Sequence, residues 1–204
     1  MNNIKTIKEP CEAKLREKGS LFIGKGYPVD SEKEIRDKLP EIKKKYYDAT
    51  HHCYAYKLFP ENFKYSDAGE PAGSAGIRIL NAIEHSKLVN ILIVVIRYFG
   101  GTKLGIGPLG KAYYNTALMA LERSKLMEKT AAKKVLIKVD ISFANQLAKI
   151  TAASKAQILN SKFEEEITQE CMINAGMLEQ FTSRLKESTK DAAEIIIDGK
   201  TYFV

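Results

Sequence analysis

Alternating and helical spacings of apolar residues divide the first part of the chain into strands and helices. Apolar and polar residues alternate over 12–28, which predicts two strands joined by a short glycine turn. Ser31, followed three residues later by Glu34, is typical of a capping box, and apolar residues then recur at helical spacing as far as Tyr46. Pro40 lies inside this predicted helix, where it would remove one hydrogen bond and kink the axis.

The same patterns predict two more strands and two more helices before residue 130. Residues 50–59 alternate and predict a strand, and residues 60–76 contain the glycines and prolines of a loop that leads into a helix. The β-branched run 90–99 predicts a strand buried on both faces. Five glycines within residues 100–110, named here the glycine loop, precede a helix expected over 111–125.

The sequence changes character near residues 129–133, which are small, polar and weakly patterned, as domain boundaries often are. The remaining segments follow the order strand, helix, two strands, helix and strand, and this βαββαβ order is that of a ferredoxin-like domain. The prediction is an α+β protein of two domains, an α/β sandwich over residues 1–130 and a ferredoxin-like domain over 131–204.

Composition narrows the class of protein. The 204 residues are 45% hydrophobic and 28% charged, which is ordinary for a globular chain. Cys11, Cys53 and Cys171 are too far apart to indicate a disulfide framework or a structural zinc site. The first residues lack an apolar signal region, and the longest apolar run, residues 91–96, is far too short to cross a bilayer. We therefore expect a protein of the reducing cytoplasm that has no membrane partner.

The net charge of +7 is unevenly distributed. Residues 1–130 contain 22 Lys and Arg against 15 Asp and Glu, whereas residues 131–204 contain ten of each. A polyanion such as RNA would therefore be attracted to the first domain. An excess of this size is equally compatible with a role in solubility alone.

The glycine loop contains two near matches to nucleotide-binding motifs. Gly105, Gly107 and Gly110 have the spacing of a dinucleotide fingerprint, and Lys111 follows them as in a phosphate-binding P-loop. Both motifs fail. Pro108 removes a backbone N–H that would contact the phosphate. In a dinucleotide fingerprint the first glycine directly follows a strand, whereas here several loop residues separate the predicted strand from Gly105. A general anion site at a helix start remains. The residues expected to contact phosphate or RNA are His51, His52, Arg97, Tyr98, Gly100, Gly101, Lys103, Gly105, Gly107 and Lys111.

Two further segments carry titratable side chains. His51 and Cys53 share one face of a predicted strand, and the following loop contains Asp67 and Glu70. These four residues could serve a hydrolase, or they could be core residues and a helix cap. Their spacing matches no metal-ligand template, so neither a metal nor a cofactor is predicted. The loop itself is expected to form a structural motif of Ser66, Asp67, Gly69, Glu70, Pro71, Gly73 and Gly76.

Three motifs in this order resemble the IMPACT family of bacterial YigZ-like proteins. They are His51-His52-Cys53-Tyr54-Ala55, the segment 66–76, and Arg97-Tyr98-Phe99-Gly100-Gly101 continuing through Lys103 to Gly107. The resemblance implies a first domain similar to the second domain of a small-subunit ribosomal protein, and a second domain similar to a late domain of elongation factor G. In the family, a second Asp usually stands where this chain has Ala68.

The resemblance also bears on function, because eukaryotic members regulate translation through a protein partner and both domain likenesses point to RNA. The main prediction is a non-enzymatic protein that associates with RNA or the ribosome and regulates translation or a stress response, as a monomer or weak dimer. One alternative is a hydrolase of small peptide or phosphate-ester substrates that uses His51, Cys53, Asp67 and Glu70. The other is a protein–protein adaptor, which would expose an apolar patch.

Overall fold

The computed structural model describes residues 3–204. They form two compact units, one of residues 5–128 and one of residues 129–204 together with Asn3 and Ile4. Both units combine helices with antiparallel strands, so the predicted α+β two-domain class is confirmed. No helix among the described residues is both long enough and apolar enough to span a bilayer.

Eleven strands and five α-helices make up the described chain. The strands are β1 (Asn3–Ile7), β2 (Cys11–Glu17), β3 (Ser20–Pro28), β4 (His51–Leu58), β5 (Asn62–Ser66), β6 (Ile91–Tyr98), β7 (Leu126–Asp140), β8 (Gln157–Phe163), β9 (Glu166–Asn174), β10 (Glu194–Ile197) and β11 (Tyr202–Phe203). The helices are α1 (Glu32–Lys45), α2 (Gly76–His85), α3 (Ile106–Glu122), α4 (Ala144–Ala153) and α5 (Leu178–Thr189). Short 3₁₀ turns precede α4 and α5.

A five-stranded antiparallel sheet forms the centre of the unit 5–128, in the order β2-β3-β6-β4-β5. Strand β6 lies in the middle, and its residues from Ile91 to Arg97 are all buried, as the β-branched run predicted. Ile93 and Val95 pack into one core with α2 and α3, whereas Leu92 and Val94 pack into another with α1. The sheet is therefore covered by helices on both faces.

The unit 129–204 contains a second antiparallel sheet, in which β10, β7, β9 and β8 lie side by side in that order. This arrangement is the fold predicted for a βαββαβ chain, with the first and third strands in the middle. Its core lies between the sheet and the helices α4 and α5, where Ile137, Cys171 and Phe181 are fully or almost fully buried.

Several elements differ from the sequence-based prediction. Strands β1 and β5 were not predicted. β5 carries no core pattern in the sequence, because it is a short edge strand whose residues are mostly exposed. Helix α3 begins at Ile106, five residues before the expected start. Pro108 is tolerated in its first turn, because the first N–H groups of a helix have no intrahelical partner and the missing N–H of proline costs no hydrogen bond. The weakly patterned residues 129–133 continue strand β7 without a break. The closing segment forms two strands that both pair with β7.

Candidate ligand pocket beside the glycine loop

A pocket of about 470 Å³ opens in the unit 5–128 between the ends of β4 and β6 and the glycine loop. Five of its lining residues are polar and six are not, and glycine loop residues form one side. The residues that line it are Thr50, His51, Glu70, Pro71, Arg97, Phe99, Lys103, Leu104, Gly105, Ile106 and Leu109. Its volume lies within the range of about 300–1,000 Å³ that is usual for small-ligand sites.

A buried ion pair forms the polar wall of this pocket. Arg97 Nη1 donates to Glu70 Oε1 over 2.7 Å, and the two side chains are only 6% and 4% exposed. The Tyr113 hydroxyl donates to the same oxygen, also over 2.7 Å. Burial raises the pKa of Tyr113, so its hydroxyl remains a donor at neutral pH. The positive charge of Arg97 is therefore already balanced within the protein and is less available to an anionic ligand than the charge of an exposed lysine.

Aromatic rings hold the Arg97 guanidinium in place. Its central carbon lies 5.3 Å from the ring centroid of Phe22 and 5.4 Å from that of Phe99, which are cation–π distances. Nη2 lies 3.4 Å from Ser20 Oγ, and Nε is buried without a hydrogen-bond partner. Phe99 itself is 46% exposed, so part of its ring remains available to a ligand.

The orientation of His51 is fixed by the backbone of the neighbouring loop. Its Nδ1 lies 3.0 Å from the carbonyl oxygen of Ala68, which can only accept, so Nδ1 carries a proton. The other ring nitrogen, Nε2, lies 3.8 Å from Glu70 Oε2, so the imidazole and the carboxylate face each other. His51 was predicted to be in the site, and the structure places it on the pocket wall beside Glu70.

Asp67 acts as the cap of helix α2. Its carboxylate accepts hydrogen bonds from the backbone N–H groups of Gly73, Ala75 and Gly76 over 2.8–2.9 Å. Burial alone would raise the pKa of Asp67, but these three bonds outweigh it and hold the pKa below the ordinary value. Gly76 itself packs against the backbone of Ser66 with no room for a side chain.

Cys53 is buried in the core behind the pocket. Its Sγ donates to the carbonyl oxygen of Asp67 over 2.9 Å, and burial raises its pKa to about 12. The thiol is therefore protonated at neutral pH and is a poor nucleophile. Of the four residues of the hydrolase alternative, His51 and Glu70 line the pocket, whereas Cys53 and Asp67 do not. Among residues 3–204 no cluster of three or more His, Cys, Asp and Glu side chains could hold a metal ion.

The glycine loop is exposed to solvent on one side and anchored at its start. A side chain at Gly100 would lie 1.9 Å from the backbone of Gly19, so these two glycines permit a direct contact between backbones. The Gly100 N–H donates to Ser20 Oγ. Gly101 and Gly105 have φ values of 83° and 84° and open space around them. The first amide of the loop is therefore already bonded, and open space surrounds Gly101 and Gly105 beyond it.

Comparison with known proteins identifies the family of this chain. A family model described as the Impact N-terminal domain matches residues 18–121, which include the whole pocket. The chain belongs to the IMPACT family. It is 28% identical to the IMPACT family member YvyE of Bacillus subtilis over 97% of this chain and 92% of that protein. It is 32% identical to an IMPACT family member of Haemophilus influenzae over 88% of each.

The IMPACT fold is also found in solved structures. A crystal structure of a hypothetical protein superposes with a TM-score of 0.77 at 24% identity and covers 98% of this chain and 100% of that one. The resemblance drawn from the three motifs is thus confirmed at the level of family and fold. All three motifs lie within the part of the chain that the family model matches.

Not every residue predicted for the IMPACT-like site reaches the pocket. Gly107 and Lys111 line a neighbouring groove with Leu15 and Glu17. His52 bonds through Nε2 to the carbonyl of Tyr46, and Tyr98 donates its hydroxyl to Asp48. The remaining members of the predicted phosphate site that line the pocket are His51, Arg97, Lys103 and Gly105.

The sequence analysis did not single out Tyr113 or the pocket residues Leu104, Ile106 and Leu109. Tyr113 lies at helical spacing from Leu109 on the buried face of α3. A tyrosine on such a face needs a partner for its hydroxyl, and this requirement is the signal that could have linked it to Glu70. Leu104 and Ile106 gave no signal, because they lie in the glycine-rich segment, where no periodic apolar pattern shows which way a side chain points.

Proposed function

We propose that this protein associates with RNA or with the ribosome and acts in translation without catalysing a reaction. The observation that carries the proposal is the arrangement of the glycine loop, whose open stretch precedes helix α3 and borders the pocket. The N-terminus of α3 has no side-chain cap, so its first N–H groups are available to an anion. This loop belongs to the part of the chain that holds the whole positive excess.

Two exposed lysines supply positive charge at the loop and at the start of α3. Lys103 lines the pocket, and Lys111 lines the neighbouring groove. Both side chains are exposed, and neither forms an ion pair with an acidic side chain within residues 3–204. Exposed, unpaired lysines are suited to phosphate contacts, which position nucleic acids without reading their sequence. The Arg97 charge is already balanced by Glu70, so we assign it to the pocket wall instead.

Binding of the full chain to structured RNA, measured by filter binding at several salt concentrations, tests the proposal. We expect the logarithm of the binding constant to fall linearly with the logarithm of the salt concentration, by ~0.7–0.9 per phosphate contact. A flat salt dependence, or dissociation constants above ~10⁻⁴ M at physiological salt, would refute RNA binding. Co-sedimentation with ribosomes at low and high salt tests the ribosomal form of the same proposal.

Charge-removing variants locate the contact. Lys103→Gln and Lys111→Gln should each weaken RNA binding and reduce the salt slope by about 1. Lys149→Gln is the matched control, because Lys149 is an exposed lysine of helix α4, within residues 131–204 whose charges balance. If all three variants behave alike, RNA does not bind at the glycine loop.

A further inference from the structure

Strand β8 forms one edge of the sheet in the unit 129–204 and leaves that edge open. Among the strands of residues 3–204, β8 pairs with β9 alone, over seven residues from Gln157 to Phe163. The strand at the other end of the row, β10, has only four residues. An edge strand as long as β8 presents backbone N–H and C=O groups with which a further strand can pair.

Large apolar side chains are exposed along this open edge. Ile158, Leu159 and Phe163 are 54%, 45% and 62% exposed. Ile158 and Phe163 stand in register with the buried residues Cys171 and Ile167 of β9, and residues in register project on the same face of a sheet. Both side chains therefore lie on the face that packs against α4 and α5, yet at the β8 edge they remain in solvent.

The two ends of β8 carry opposite charges. Lys155 stands just before the strand, and residues 164–166, all glutamate, follow it. All four side chains are exposed, and none forms an ion pair within residues 3–204. Lys162, the charged residue of β8 itself, projects from the other face of the sheet, in register with Thr168. Two β8 strands that pair antiparallel would bring each positive end to a negative end, whereas parallel pairing would bring like charges together.

We propose that two copies of this chain associate through their β8 strands, which pair antiparallel about a two-fold axis and join the two sheets into one. Ile158 then lies near the partner's Phe163, and Lys155 lies near the partner's Glu165. A second copy is the occupant that fits this edge, because the chain itself supplies both signs of charge and both apolar side chains that the contact needs. The proposal is independent of the proposed association with RNA.

The same geometry limits the assembly to a weak dimer. A two-fold contact uses the same edge of both copies, so the joined sheet has a β10 strand at each outer edge, and a strand of four residues offers little for further pairing. The bulge between Ile158 and Asn160 interrupts the register of β8 and shortens the regular pairing. One pair of short strands is a small interface, and we expect a dissociation constant in the micromolar range.

Sedimentation equilibrium of the full chain at several concentrations tests the association, and hydrogen exchange locates it. We expect a reversible equilibrium between monomer and dimer. Amides of β8 should exchange more slowly at high than at low protein concentration, whereas amides of β10 should not change. A chain that stays monomeric at millimolar concentration, or a dimer that protects β10 and not β8, overturns the proposal.

A pair of matched variants tests the apolar part of the contact. Phe163→Ser and Ile196→Ser each remove a large exposed side chain from an edge strand, since Ile196 is 46% exposed on β10. Phe163→Ser should weaken dimerisation at least about tenfold, because a two-fold contact loses the ring twice. Ile196→Ser should leave the dimerisation constant unchanged. Equal effects of the two variants would show that the copies do not meet at β8.

Charge reversal tests the antiparallel direction. Lys155→Glu, and separately the double variant Glu164→Lys/Glu165→Lys, should each weaken dimerisation at least about threefold, because like charges then meet at both ends of the contact. The chain that combines all three substitutions restores unlike charges and should dimerise about as well as the natural chain, which a folding defect cannot produce. Lys200→Glu, an exposed site beyond β10, makes the same change of net charge as Lys155→Glu and is its control. If the combined variant dimerises no better than Lys155→Glu, the antiparallel pairing is refuted.

Discussion

The buried pair of Glu70 and Arg97 allows a quantitative prediction. Glu70→Gln preserves the shape of the side chain and an oxygen that Tyr113 can still reach, but it removes the negative charge opposite Arg97. Both side chains are at least nine-tenths buried, so the guanidinium charge would remain in the interior without compensation. Removing one partner of such a pair costs about 3–5 kcal/mol of unfolding free energy.

A double-mutant cycle isolates the pair from the loss of contacts. Arg97→Met alone should also destabilise the unit 5–128, whereas the double variant Glu70→Gln/Arg97→Met should cost about 2–3 kcal/mol less than the sum of the single variants. Glu84→Gln is the matched control. Its ion pair with Lys57 spans 3.4 Å with side chains 49% and 24% exposed, and it should cost no more than about 1 kcal/mol.

Urea unfolding followed by amide resonances measures these quantities for each unit. Amides of β6 report on the unit 5–128, and amides of β9 report on the other unit, whose stability should not change. If Glu70→Gln costs no more than Glu84→Gln, the pair is not buried as described, and the reasoning about the pocket wall is wrong.

Three further predictions concern the surroundings of the site. Asp67→Ala should lower the unfolding free energy by about 1–2 kcal/mol in urea titrations at neutral pH. Because the pKa of Asp67 is depressed, its contribution is present above the ordinary value of 3.8 and disappears as the pH falls through the folded-state pKa, so the variant and the natural chain should converge in acid. Iodoacetamide labelling read by mass spectrometry should modify the partly exposed Cys11 before Cys53, which reacts only after unfolding; simultaneous labelling would contradict the burial of Cys53. Gly100→Ala should lower the melting temperature strongly, because its methyl group would lie 1.9 Å from backbone, whereas Gly107→Ala meets open space and should change stability by less than about 1 kcal/mol; similar effects would show that the loop is not anchored there.

Local patterns were enough to predict the elements that build the pocket. The alternation of residues 50–59 and the β-branched run 90–99 predicted β4 and β6, and the register of these strands then places His51 opposite Arg97. The capping box at the start of α1 was also recognised, and Ser31 Oγ accepts from the N–H of Glu34 in the structure. Such features depend on residues close together in the sequence, which is why they can be read from it.

The chemistry of the pocket depends on contacts that sequence spacing does not reveal. The pairing of Arg97 with Glu70 joins residues 27 positions apart, and that of Tyr113 with Glu70 joins residues 43 apart. Asp67 and Glu70 look alike in the sequence, yet one caps a helix and the other balances a buried guanidinium. Their different roles follow from the path of the loop after β5, a strand that the sequence pattern did not predict.

The backbone carbonyl of Ala68 fixes the orientation of the His51 ring. Ala68 adopts a left-handed conformation, with φ of 44°, which is strained for a residue with a side chain. Strand β4 therefore does not by itself decide which ring atoms of His51 face the pocket, because that choice depends on a carbonyl 17 positions further along the chain. A substitution at Ala68 that changes the turn would reorient the imidazole and alter the pocket wall without replacing any residue that lines it.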